Sequence, residues 1–215
     1  MTSEREQAGS GKLADEAYRS VLADILSCRM PGGTVIQERK LALALGVSRS
    51  PMRDALNRLA GEGLLVRLTD RLLTVRVITL QDYLDSLDVR ALIEPQAAAL
   101  ATPKVSVAEI AECNRLLGHI ESVGMPTDED HWAFDDFLHD TLADRSGNPF
   151  LARTIRDMRR YTKIFERQTV PARSGPGVAD HRKLVDALVD RRADLVKMAM
   201  SDHIRKVRKR TLAGL

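Results

Sequence analysis

The chain has 215 residues, 44% of them hydrophobic and 29% charged, with five histidines, two cysteines and a formal net charge of +3. This is the balance of a soluble globular protein, long enough for one large domain or two small ones, and no apolar stretch reaches bilayer length, so neither a membrane span nor a membrane partner is expected. Cys28 and Cys113 lie far apart without CxxC spacing, which argues against a zinc knuckle or redox motif and for free, buried thiols in a reducing cytosol.

Residues 1–11 are polar and lack the apolar core of a secretory signal, so they read as a mobile arm, and a cytoplasmic location is expected. From Leu13 to Cys28, Leu13, Ala17, Val21 and Ile25 recur at helical spacing, and Met30-Pro31-Gly32-Gly33 ends that helix. Glu38 to Leu45 reads as a short helix with Leu41, Ala42 and Leu45 inward, closed by Gly46. A further helix starts at the N-cap Ser48, with Pro51 in its first turn and Met52, Ala55, Leu56 and Leu59 on its buried stripe. Leu64 to Val66 and Leu73 to Ile78 then flank Thr69-Asp70-Arg71 as a hairpin. After Thr79 the pattern is helical throughout, with six helices predicted at 80–101, 106–122, 128–146, 149–167, 178–190 and 193–212. The expected organisation is thus a mainly α chain: an arm at 1–11, a winged helix-turn-helix (three helices plus a β-hairpin) at 12–78, and an all-α six-helix bundle at 79–215.

Two short helices joined by a tight glycine turn, the second exposing arginines and hydroxyls, are what a helix-turn-helix needs. Arg49 and Arg53 can bond guanine edges bidentately or clamp phosphates, and Ser48 and Ser50 can bond phosphates at the helix N-terminus. Arg39 and Lys40 open the preceding helix, and Arg67 and Arg71 could reach from the hairpin. Any one of these arginines could equally decorate a solvated helix face; the set, confined to one outward face beside a hairpin, points to double-stranded DNA. The stretch "PGGTVIQERKLALALGVSRSPMRDALNRLAGEGLLV" resembles the winged helix-turn-helix of GntR-type bacterial transcription regulators. The resemblance implies operator contacts for Arg39, Ser48, Arg49, Ser50 and Arg53. The hairpin reads "RLTDRLLTV", without the glycine that the family's wing commonly carries at its tip, which leaves minor-groove entry by Arg67 or Arg71 open.

A second constellation lies in the helical half. Asp135 and His139, four residues apart, share the stripe of His131, Phe134, Leu138 and Leu142; His181 shares one with Leu184, Val185 and Leu188; His203 shares one with Val196, Met200 and Val207. A carboxylate on an apolar stripe needs a partner or a metal. Imidazoles with a carboxylate suit a divalent transition metal, zinc first, with nickel, iron or manganese as alternatives, and leave room for a ligand's carboxylate. The competing reading is three separately hydrogen-bonded core histidines. The segments "FDDFLHDTLADRSGNPFL", "DHRKLVDALVDRR" and "MSDHIRKV" resemble the FCD ligand-binding domain of the FadR subgroup of GntR regulators, in its shorter, VanR-like branch. That likeness implies that Asp135, His139, His181 and His203 are metal ligands, one ion per chain. Arg90 shares a stripe with Tyr83, Leu87, Glu94 and Ala97, so it can either hold an effector or pair within the helix with Glu94. Tyr161 is a candidate for the effector cavity, with a core position as the alternative. His119 and His131 are assigned no role, and the basic run from Arg205 to Arg210 reads as a solvated face.

Together these features predict a metabolite-responsive transcription regulator, a repressor, that binds a palindromic operator as a homodimer and is released by a small organic acid at the metal site. Two alternatives stand beside it: a metal-dependent enzyme and a regulator with a purely structural metal. Against the first, no general base beside the ligands, HExxH, nucleophile elbow or phosphate loop is present.

Overall fold

The computed structural model describes residues 2–69, 72–123, 126–169 and 177–214, with side chains from residue 11 onward. It divides into two compact units, Met1–Thr79 and Leu80–Leu215.

In the first unit, α1 spans Thr2–Leu26, α2 Glu38–Ala44 and α3 Arg49–Gly61, followed by β1 Leu65–Thr69 and β2 Leu72–Val75. Helix α1 therefore begins well before Leu13: the segment expected as a mobile arm has helical backbone, in keeping with the helix formers Glu4 to Ala8. Its stripe of Ala17, Val21 and Ile25 is buried, and α1 packs against α3, whose Met52, Ala55, Leu56 and Leu59 are buried as the spacing predicts. Tyr18 ties the two helices further, donating to Glu62 Oε2 at 2.7 Å while the Arg58 guanidinium lies 3.7 Å from its ring centre. Of the α2 residues expected inward, Ala42 is buried and Leu41 half-buried, but Leu45 is exposed, because the helix ends at Ala44 and the chain turns away there.

The turn between α2 and α3 rests on Gly46, whose φ of +65° an L side chain adopts only at a cost; Gly46 N–H bonds Leu43 O and Val47 N–H bonds Ala42 O, closing the helix. β1 and β2 pair antiparallel with an irregularity between Arg67 and Thr69, and Val35 bridges to Thr74, adding a short third rung. The second strand stops at Val75, short of the predicted Ile78. Asp70 and Arg71, the expected hairpin tip, lie outside the described residues.

In the second unit, α4 is Leu80–Ala101, α5 Val107–Ser122, α6 Asp128–Arg145, α7 Pro149–Thr169, α8 Val178–Val189 and α9 Ala193–Ala213. All six match the predicted helices to within two residues at each end. Ser106 and Glu109 close the predicted capping box, and Thr127 with Asp130 forms a second one at the start of α6. Helix α4 packs against α6, α7 and α9, so its stripe of Tyr83, Leu87, Arg90, Glu94 and Ala97 is buried on several sides. Helix α5 packs on α6 and α8, and α8 on α9. This arrangement turns the inner faces of α6, α8 and α9 toward one another. Among the described residues no helix is long and apolar enough to cross a membrane. Cys113 is buried, which pushes its thiol up to about 12, whereas Cys28 is only partly buried, at a backbone φ of +59°.

Candidate metal centre and nucleic-acid interface

Asp135 and His139 on α6, His181 on α8 and His203 on α9 meet inside the helical unit. Each is at least nine-tenths buried, and one donor atom from each lies within 4.8 Å of all the others. His181 Nε2 stands 3.4 Å and His139 Nε2 3.8 Å from Asp135 Oδ1, and the rings of His181 and His203 are 4.4 Å apart. Against the reading of three separately satisfied core histidines stands one observation: His139 Nε2, His181 Nε2 and His203 Nδ1 are buried without a hydrogen-bond partner. Three convergent imidazole nitrogens and a carboxylate oxygen are a donor set that fits a divalent transition metal. Burial, together with the neighbouring His181 and His139, holds His203 well below the usual imidazole range. For His139, burial and the Arg159 guanidinium outweigh the pull of Glu94 and Asp135, so it too is lowered. Neutral rings are the form that binds a metal.

Charged side chains that the sequence reading did not assign surround this set. Arg159, on α7, donates from Nη2 to Asp135 Oδ2 at 2.9 Å and to Asp136 Oδ1 at 3.0 Å, leaving Asp135 Oδ1 toward the histidines. Burial by itself would raise Asp135, but Arg159, His139 and His181 hold its carboxyl well below the usual range. Glu94 Oε2 lies 2.6 Å from His139 Nδ1, and Glu94 Oε1 accepts from Arg90 Nε at 2.5 Å. Its carboxyl is likewise held down, with burial overcome by Arg90, His139 and Arg159. A signal for Arg159 existed: Ala152, Ile155, Arg159, Thr162 and Glu166 follow helical spacing along the buried side of α7. Its carboxylate partners could not be read that way.

A small cavity adjoins the set, lined by Arg90, Trp132, Asp135, Arg159, Thr162, Glu166, His203 and Val207. Arg90 makes the intrahelical pair with Glu94, donates from Nη1 to Thr162 Oγ1 at 3.0 Å and also borders the cavity, so the pairing does not withdraw it from that space. Tyr161 is only partly buried and is not among the lining residues; Thr162, a turn of about 100° further round α7, takes the place expected of it. His131 is buried, and His119 is exposed near Asp130. The basic C-terminal run meets acids: Arg205 pairs with Asp202, Lys206 and Arg210 with Asp180, and Arg208 with Asp88.

In the first unit, Arg39, Lys40, Ser48, Arg49, Ser50, Arg53 and Asn57 are all exposed, spread over α2 and the outer side of α3. Ser48 stands at the N-cap in extended backbone with no side-chain capping bond. Arg53 Nη2 lies 3.3 Å from Glu38 Oε1, and the two border a surface groove with Asn57 and Arg67. Arg71 lies outside the described residues.

Comparison with known proteins yields two family matches. The profile described as the FCD domain covers residues 85–206, and that of bacterial regulatory proteins of the gntR family covers residues 13–75. Among curated relatives, the Nta operon transcriptional regulator of Aminobacter aminovorans is 29% identical over 177 residues, covering 81% of this chain and 82% of that one. The HTH-type transcriptional repressor RspR of Escherichia coli K12 is 23% identical over 211 residues, covering 96% and 92%. Of solved structures, E. coli McbR/YncC superimposes with a TM-score of 0.75 at 18% identity, covering 90% of this chain and 94% of its own. A putative GntR regulator from Rhodococcus sp. RHA1 does so with 0.75 at 17%, covering 94% and 98%. At these identities the structural likeness establishes the fold. The matched families and relatives are transcription regulators and not enzymes, which decides against the catalytic alternative.

Proposed function

This chain belongs to the GntR family of bacterial regulatory proteins and carries a C-terminal FCD domain, and from that premise we propose that it is a metal-dependent, carboxylate-responsive repressor acting as a homodimer on a palindromic operator. The observation that carries the sensor half of this reading is the trio of unpartnered buried imidazole nitrogens converging with Asp135. Asp135, His139, His181 and His203 would hold the metal. A divalent cation there would offer a coordination position to an effector carboxylate. The guanidinium groups of Arg90 and Arg159 border the same cavity and would offer N–H donors to a small organic acid, and Trp132 and Val207 would supply apolar contact.

For the DNA half, Ser48, Arg49, Ser50 and Arg53 lie on or at the start of α3, where a recognition helix presents its first turns to base edges, and Arg39 lies where a phosphate contact is made. Arg71 stays in the proposal as a wing contact. One such helix reads only a few base pairs, so a dimer on a palindrome supplies the rest of the specificity. The repressor assignment follows the name of the RspR relative. Release is a linkage: an effector that favours a dimer geometry unlike the operator-bound one lowers the DNA affinity by its differential affinity for the two states.

The test is elemental analysis of protein purified without a nickel column or chelator, followed by operator binding against a panel of organic acids. About one transition metal per chain, lost in His139→Ala with His203→Ala, and operator release by at least one acid are expected. A metal-free wild type after reconstitution would sink the sensor reading. Operator affinity unmoved by every acid would reduce the metal to a structural part.

A further inference from the structure

Given Asp135, His139, His181 and His203 as metal ligands, the reading on which this inference rests, we propose that Glu94, on α4, is the positioning residue of the site. Its carboxylate takes the Nδ1–H of His139 and commits the ring to the tautomer whose Nε2 lone pair faces Asp135, His181 and His203.

The geometry is specific. His139 Nδ1 and Glu94 Oε2 are 2.6 Å apart across 45 residues of sequence, and both side chains are almost wholly buried, so water does not compete for the bond. The opposite nitrogen, Nε2, has no hydrogen-bond partner and lies 3.8 Å from Asp135 Oδ1. A carboxylate offers only lone pairs, so in a neutral ring the nitrogen facing it carries the proton and the nitrogen facing the other donors does not. The reverse tautomer would set a lone pair against the carboxylate and aim an N–H into the donor set, where it could not bind a metal.

Glu94 is itself held from behind. Its second oxygen accepts Arg90 Nε at 2.5 Å, Arg90 Nη1 donates to Thr162 Oγ1 at 3.0 Å, and Thr162 Oγ1 donates to the Arg159 carbonyl at 2.9 Å. The carboxylate is thereby anchored from α4 and α7 together, and it cannot swing away from His139 without stripping a buried guanidinium of its partner. A plain intrahelical ion pair between Arg90 and Glu94 would not require the other oxygen, Oε2, to point at His139. Partners of this kind, standing behind a ligating histidine, typically change metal affinity by about 10- to 100-fold when removed.

The experiment measures Zn²⁺ affinity of the full chain by competition with a chromophoric chelator, in wild type, in Glu94→Gln and in the double variant Arg90→Met with Glu94→Leu. The double variant removes both buried charges together, which preserves folding where a lone buried charge would not. The expected result is a loss of about 10- to 100-fold in both variants, with the metal-free double variant melting close to wild type. Long-range ¹⁵N–¹H spectra of histidine-labelled wild type, free and zinc-loaded, should show His139 protonated at Nδ1. Unchanged zinc affinity in both variants, or a His139 protonated at Nε2, overturns the assignment of Glu94 while leaving the metal site standing. A wild type that binds no zinc overturns the metal reading itself and this one with it.

Discussion

Buried imidazoles with no hydrogen-bond partner are costly to leave alone, and three of them on one small volume give the helical unit its chemical character. Their environment lowers the pKa of His139 and His203 below the usual value. The unfolded chain then binds protons at a higher pH than the folded one, so the stabilisation is complete above the ordinary imidazole value of about 6.5 and is lost as pH falls below it toward the folded value. Thermal melts of metal-free protein should therefore show stability falling between about pH 7 and pH 5, and His203→Gln should flatten that slope; a slope unchanged in the variant would remove His203 as its source. The same protonation competes with metal, so zinc affinity should weaken over the same range, measurable by chelator competition at each pH. At the acidic end, Asp135 and Glu94 act in the same direction: both are held below their ordinary range, so what they contribute is present above that range and is lost as they protonate on acidification.

Among the elements, α3 and the turn before it carry the first unit's proposed function. Arg49 and Arg53 are exposed while Met52, Ala55, Leu56 and Leu59 seat the helix, so truncating an arginine should leave the fold alone. Arg49→Ala is expected to cost about 1–3 kcal/mol of operator affinity with an unchanged melting temperature, read by fluorescence anisotropy at fixed salt; equal loss on operator and random DNA would demote it to a phosphate contact. Gly46 is the opposite case, a position that matters to the backbone alone. A Cβ would meet nothing within 4 Å, so Gly46→Ala is strained only through its φ of +65°, and a destabilisation of about 1–2 kcal/mol in urea titration is expected. In the second unit, Ser106 caps α5 through the Glu109 N–H at 3.2 Å, and Ser106→Ala should cost about 0.5–2 kcal/mol by the same titration.

Taken whole, the molecule is two compact units whose proposed tasks differ, and a ligand bound only by the folded second unit should stabilise that unit by mass action. Zinc at about a thousand times its dissociation constant would add about 4 kcal/mol to unfolding, visible as a higher melting transition that is abolished in His139→Ala with His203→Ala. A melting temperature indifferent to zinc in wild type would contradict the proposed site.

By itself the sequence determined the elements and their faces. Helical spacing placed the six helices of the second unit within two residues at each end, because strong amphipathic periodicity and breaks such as Gly147-Asn148-Pro149 are local properties. The same spacing put Asp135, His139, His181 and His203 on inward faces, and likeness to a family joined them into one set. The departures came where the signal was not local periodicity. Residues 2–11 carry no apolar stripe yet continue α1, and Leu45 follows the spacing of α2 but falls beyond its end. The tertiary structure alone decided which inward faces meet. Only the packing of α4 and α7 against α6 brings Glu94 to His139 and Arg159 to Asp135, across 45 and 24 residues. It also lines the cavity with Thr162 and not its neighbour Tyr161. Spacing tells which way a side chain points within its own helix; what it meets there is set by how helices distant in sequence cross.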